Sequence, residues 1–154
     1  METAAIHEHV LRFQSPSSLE HEDVWQKLKP LGALVVPHFL EAYPKFRQAR
    51  ARVSLLFYAT GFARISEEAF QLGVLGCKDR ASLVRYRACG LLAYSLRPDA
   101  LPTLHDLLTH TDKKTVEDAV AAMDAIRSGN YHYFIDRSHS GKTFWEVNRG
   151  DIPR

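Results

Sequence analysis

At 154 residues, 45% hydrophobic and 25% charged, the chain has the size and composition of one globular domain with a real core. No run of about eighteen apolar residues marks a membrane span, and Met1 to Gln14 carries Glu2, His7, Glu8 and His9 where a secretion signal needs a basic start and an apolar run, so a cytoplasmic protein is expected. The net charge of +2 is uneven: residues 45–97 hold ten Lys/Arg against three Asp/Glu, net +7, and the flanking segments are acidic, which favours an anionic partner for the centre.

Apolar residues recur at helical spacing along most of the chain. Ile6, Val10 and Phe13 mark a first helix, broken by Pro16. Ser17 with Glu20 has the spacing of a capping box, so a second helix starts there, carries Leu19, Val24, Trp25 and Leu28, and ends at Pro30. Leu31 to Tyr43 form a third helix, which Pro37 should bend. After Pro44, Phe46 to Gly61 form a long helix with Ala49, Val53, Leu56 and Phe57 inward. Ser66 caps a helix bearing Ala69, Leu72 and Leu75; past the turn at Lys78-Asp79-Arg80, a helix with Leu83, Val84, Ala88, Leu91 and Leu92 runs to Arg97-Pro98. Asp99 caps the next, with Leu101, Leu104, Leu107 and Leu108, and the last follows Thr111-Asp112 with Val116, Val120, Met123 and Ile126, ending at Gly129-Asn130.

The pattern repeats. Leu72, Leu75 and Val84 return as Leu104, Leu107 and Val116 at a shift of 32, and Arg50, Val53, Leu56 and Phe57 return as Arg85, Ala88, Leu91 and Leu92 at a shift of 35. A period near 33 across helical pairs is that of a solenoid, in which each hairpin covers its open face with the next. The segment Asp79-Arg80-Ala81-Ser82-Leu83-Val84-Arg85-Tyr86-Arg87-Ala88 resembles the HEAT repeat in its HEAT-like bacterial form. The family has an Asp in the turn, a Val-Arg pair opening the second helix and an Ala three residues later; Asp79, Val84, Arg85, Ala88 and Leu91 match. The following unit keeps Asp112 and Val116 but has Glu117 in place of the Arg. The resemblance extends well over residues 66–128, less so over 31–62, and only as periodicity over 1–30. It implies an all-α, right-handed solenoid of about four hairpins over residues 1–129, with Asp79 and Arg85 in an internal ladder along the stack, Arg85 pairing with Asp79 or an equivalent acid.

Residues 130–154 differ. Tyr131 to Ile135 and Thr143 to Val147 are β-prone runs flanking Ser138-His139-Ser140-Gly141, read as a β-hairpin or extended cap on the last repeat. Gly141-Lys142-Thr143 matches the end of a phosphate-binding P-loop, but Asp136 stands where the first Gly belongs and Phe144-Trp145-Glu146-Val147 does not start a helix. Asp136-Arg137-Ser138-His139 reads as a turn or contact motif, since neighbours in a turn rarely converge on one substrate atom. The eight histidines are scattered; His132 and His139 alone flank one turn. No metal site, cofactor or catalytic residue is expected. Cys77 and Cys89 are too few for a disulfide scaffold and read as buried free thiols.

In HEAT-like stacks the second helix of each pair lines the concave face, which implies that helices near 18–29, 46–61, 80–96 and 112–128 form the binding surface. Arg47, Arg50, Ser54 and Tyr58 make one stripe and Arg87 and Tyr94 another; Arg and Tyr are the types enriched at interface hot spots. A compact stack of this kind is similar to bacterial immunity proteins that neutralise a cognate toxin, and to adaptor or regulatory subunits of larger complexes. The expected function is therefore non-catalytic binding of another protein, with no membrane role. Nucleic-acid binding through Arg47, Arg50 and Arg52 is the alternative from a different class.

Overall fold

Three polar side chains set helix starts. Ser17 Oγ accepts from the Glu20 amide at 3.3 Å, Ser66 Oγ from the Ala69 amide at 3.1 Å, and Asp112 Oδ1 from the Lys114 amide at 3.0 Å, each relieving a donor that has no partner inside its helix. In the computed structural model, which describes residues 1–153, the helices are α1 (Thr3–Leu11), α2 (Ser18–Leu28), α3 (Val36–Ala42), α4 (Ala49–Ala59), α5 (Glu67–Cys77), α6 (Ser82–Ser95), α7 (Leu101–Asp106) and α8 (Lys113–Ser128), several extended by short 3-10 turns. No helix among the described residues is long and apolar enough to cross a membrane.

The elements lie in two layers. The odd-numbered helices touch in the order α1, α3, α5, α7; in the other layer α6 lies between α4 and α8, and each odd helix also contacts the even helix that follows it. Helix α2 joins the second layer through side chains, with Trp25 stacked on Tyr58 of α4 at 4.8 Å. One continuous core runs between the layers, from Val10 and Phe13 through Phe39, Leu55 and Leu72 to Leu91, Leu104 and Phe134. The α5–α6 pair packs most closely, because Gly76 brings its backbone against Ala88 and Leu56: a Cβ there would lie 2.8 Å from the Ala88 Cβ.

Several expected details differ. The segment 31–43 is not one helix: Gly32 has φ +59°, a 3-10 turn covers Lys29–Val35, and Pro37 falls in the first turn of α3, where its missing amide costs nothing. Arg47 precedes α4, so it does not share a helical stripe with Arg50. Asp99 caps no helix; it lies in the 3-10 turn Pro98–Ala100 and pairs with Arg97. Phe57, expected inward, is exposed, as are Leu19, Leu83 and Val120.

The expected β-hairpin is absent: no strand occurs among the described residues of 130–154. Tyr131–Phe134 form a 3-10 turn on α8, and the rest of the tail is irregular. Side chains take the amides that a strand ladder would use. His132 Nδ1 accepts from the Trp145 amide at 2.9 Å, Asp136 accepts from the amides of Ser140 and Gly141, and Asp151 from those of Val147 and Asn148. The tail aromatics pack inward instead: Phe134 is buried, and Gly90 of α6 lies against both Phe134 and Trp145.

Candidate functional site

The buried charges come first, because they decide which arginines remain for a partner. Arg52 donates to both oxygens of Asp79, at 2.7 and 3.0 Å, and to the carbonyls of Phe46 and Arg47 at 3.0 and 2.9 Å. Arg85 donates to Asp112 Oδ2, Thr115 Oγ1 and the Asp79 carbonyl, each at 2.9 Å. Arg52, Asp79 and Phe46 thus recur as Arg85, Asp112 and Asp79, at a constant shift of 33. Arg85 thus pairs with the equivalent acid Asp112 rather than with the Asp79 side chain, which pairs with Arg52, and Arg85 reaches only the Asp79 backbone. The equivalent of Arg85 is Arg52, not Arg50. One shift further lies Asp118 rather than Glu117, buried and reversed in sign, and the tail supplies its partner in Arg137 at 2.9 Å.

Burial opposes ionisation of Asp79, but hydrogen bonds from Arg52, Tyr43 and the Ala81 amide outweigh it and hold the carboxyl below its ordinary range. The Tyr43 hydroxyl, desolvated and hydrogen-bonded to that carboxylate, is pushed up beyond the ordinary phenol range.

With Arg52 and Arg85 consumed, the free surface gathers in a groove of about 690 Å³ across α2, α4 and α6, with the tail segment 145–149 as its far wall. Trp25, Phe57, Tyr58, Tyr86 and Trp145 give it an aromatic lining, and Glu22, Lys29, Arg87, Glu146 and Arg149 are its charges. Tyr58 is clamped between Trp25 and Phe13, stacked on each at 4.8 and 5.5 Å. Its hydroxyl donates to Glu22 at 3.1 Å; burial first, then that carboxylate, push it up to about 12.

The six expected contact residues do not form one surface. Tyr58 and Arg87 line the groove. Ser54 lies beside it and is held by the buried His21, whose ring nitrogens meet Ser54 Oγ at 2.7 Å and the Ser15 carbonyl at 2.6 Å. Arg47 and Arg50 are exposed outside the groove lining, and Arg50 donates to the Pro16 carbonyl at 2.7 Å. Tyr94 is the correction: at 3% exposure it is covered by the tail, its hydroxyl hydrogen-bonded to both oxygens of Asp151 at 3.0 Å and to Asn148. Arg64 stacks over Tyr94 and Tyr131 at 4.2 and 4.8 Å, closing that corner. Trp25, Phe57, Trp145 and Arg149 also line the groove; apolar spacing places Phe57 inward and does not single out Trp25, and Trp145 and Arg149 belong to a tail whose path no periodicity encodes.

The turn at 136–141 is built on Asp136, which accepts from the Ser140 hydroxyl and from the Ser140 and Gly141 amides. His132 and His139 take different partners, the Trp145 amide and Asp124, and His139 stacks on Tyr133 at 3.7 Å. Cys77 and Cys89 are buried free thiols; the hydrogen bond between them, then burial, raises Cys89 well above the usual thiol range, which opposes thiolate chemistry. Among the described residues no group of three or more His, Cys, Asp or Glu side chains is placed to hold a metal ion. Comparison of the chain with protein families finds no matching family model, and comparison with curated proteins finds no match.

Proposed function

We propose that this chain is a non-catalytic, HEAT-like protein-binding module whose concave groove holds another protein, in the manner of an immunity protein that neutralises a cognate toxin. The observation that carries this reading is the groove itself: aromatic side chains from three successive even-numbered helices converge on one open channel, the composition of an interface centre rather than of a solvated face. The Arg–Asp pairs recurring at a shift of 33 support the repeat architecture. Of the arginines offered to nucleic acid, Arg52 is spent on Asp79 and only Arg47 and Arg50 stay exposed, outside the groove lining, so the groove favours the protein-binding reading.

The test is recovery of a stoichiometric partner from the native host with the full chain as bait, followed by expression of that partner alone. An immunity role predicts that the partner arrests growth, that co-expression of this chain restores it, and that Tyr58→Ala or Trp25→Ala abolishes the rescue while the variant stays folded. A harmless partner held through the same groove residues assigns the chain to the adaptors. Binding that ignores both substitutions overturns the groove as the site.

A further inference from the structure

Arg87 differs from the other arginines near the centre of the fold. Its guanidinium lies over the rings of Phe57 at 5.0 Å and Tyr86 at 5.5 Å, its Nε is shielded from solvent with no hydrogen-bond partner, and no carboxylate among the described residues pairs with it. A weakly hydrated guanidinium seated over aromatic rings presents its terminal nitrogens in a planar fork that fits a carboxylate, and the apolar walls strengthen any pair formed there.

The other groove charges define what kind of anion fits. Glu22 is already engaged by Tyr58 and by Gln26 at 2.8 Å, yet it remains a negative charge, and Glu146 adds a second on the tail wall. Two carboxylates on one lining repel a polyanion such as nucleic acid, whose phosphates would pass both. A polypeptide with a single acidic side chain meets no such penalty: its carboxylate reaches Arg87, with Lys29 and Arg149 adding attraction from the same lining, while its apolar neighbours cover the rings. We propose that the groove recognises a segment of a partner protein in which one Asp or Glu stands between apolar residues, with Arg87 as the carboxylate receptor. This rests on the protein-binding reading of the groove and specifies its ligand chemistry.

Both tryptophans of the chain, Trp25 and Trp145, line the groove, so their emission reports its occupancy. The probe is a random peptide library selected on the full chain, with enriched peptides synthesised and titrated by tryptophan fluorescence. Enriched peptides are expected to carry an acidic residue flanked by apolar ones. Arg87→Gln should weaken them about tenfold to a hundredfold, Asp→Asn or Glu→Gln in the peptide should do the same, and the two losses should not add. Arg87→Lys keeps the charge but not the fork, and is expected to give an intermediate loss; it serves in place of the Gln variant should that variant lose its helical circular dichroism. Peptides that perturb the tryptophans but show no acidic preference and ignore both variants would overturn this inference and leave the groove reading standing. If no enriched peptide perturbs the tryptophans, both fall. Salt-sensitive binding of mixed-sequence oligonucleotides in place of peptides would reassign Arg87 to phosphate.

Discussion

Removing Arg52 is the sharpest test of what holds the stack together. Arg52 and Asp79 have side chains only 5% and 7% exposed, so Arg52→Ala leaves a mostly buried carboxylate with only Tyr43 and the Ala81 amide as donors, and the carbonyls of Phe46 and Arg47 lose their donor as well. Breaking a buried pair from one side costs about 3–5 kcal/mol, because an uncompensated charge remains. For a domain of this size that lowers Tm by roughly 6–20 °C, and it removes a large share of a total stability of about 5–15 kcal/mol. The neighbouring rung provides an internal control. In Arg85→Ala the stranded Asp112 side chain is 30% exposed and can hydrate, so the loss should be about half as large. Arg52→Met with Asp79→Asn leaves no buried charge and still offers an acceptor to the Ala81 amide, so it should recover much of the single-variant loss. Urea unfolding followed by helical circular dichroism measures all four proteins, with the midpoint read at constant m-value. A loss below about 1 kcal/mol for Arg52→Ala, the size of an exposed surface pair, would refute the argument that this pair is a buried strut.

Three further outcomes follow from other contacts. The Asp79 carboxyl is held below its ordinary range in the fold, so the stability it adds is fully present above the unfolded value of about 3.9 and is lost as pH falls through the folded value; acid titration should show stability dropping below about pH 4, and Asp79→Asn should flatten that drop from a lower starting point. Gly76→Ala places a Cβ 2.8 Å from the Ala88 Cβ and 2.9 Å from Leu56 Cδ1, and since Ala88 has no rotamer to yield, thermal denaturation should show a loss of about 1–3 kcal/mol. Asp151→Ala removes the acceptor of Tyr94 and of two tail amides; hydrogen exchange should quicken across 145–151 with little change in the core helices, and equally rapid exchange in α6 would show that the tail is integral to the fold.

The local, short-range features were legible in the residues. Ser17 and Ser66 accept the amides expected of caps, because a cap needs only one side chain and the backbone beside it, whereas Asp99 caps no helix and the cap at Asp112 lies in what reads only as a turn. Helix positions followed from apolar periodicity and proline, and the period near 33 was visible before any contact. Helix phase was not: Phe57, Leu83 and Val120 face outward, since an apolar residue on a helix that touches neighbours on several sides has no single inward direction. Ladder partners also required tertiary structure. Arg50 and Arg52 are equally basic in sequence, yet only Arg52 reaches Asp79, because the approach of α4 to the next unit chooses between them.

The tail is where reading by residue type failed most. Tyr131 to Ile135 and Thr143 to Val147 are β-prone, but a strand requires a ladder, and His132 and Asp151 claim the amides of Trp145 and Val147 instead. Folded across α6, the tail buries Tyr94, turning one expected contact into core, and brings Trp145 and Arg149 to the groove. Composition, caps and apolar spacing determined that the chain is helical, because those depend on neighbours a turn apart. The ladder and the covering of Tyr94 depend on residues 27 to 57 positions apart, and the groove joins Glu22 and Trp25 to Trp145 and Arg149; only the packing of whole helices brings such residues within reach of one another.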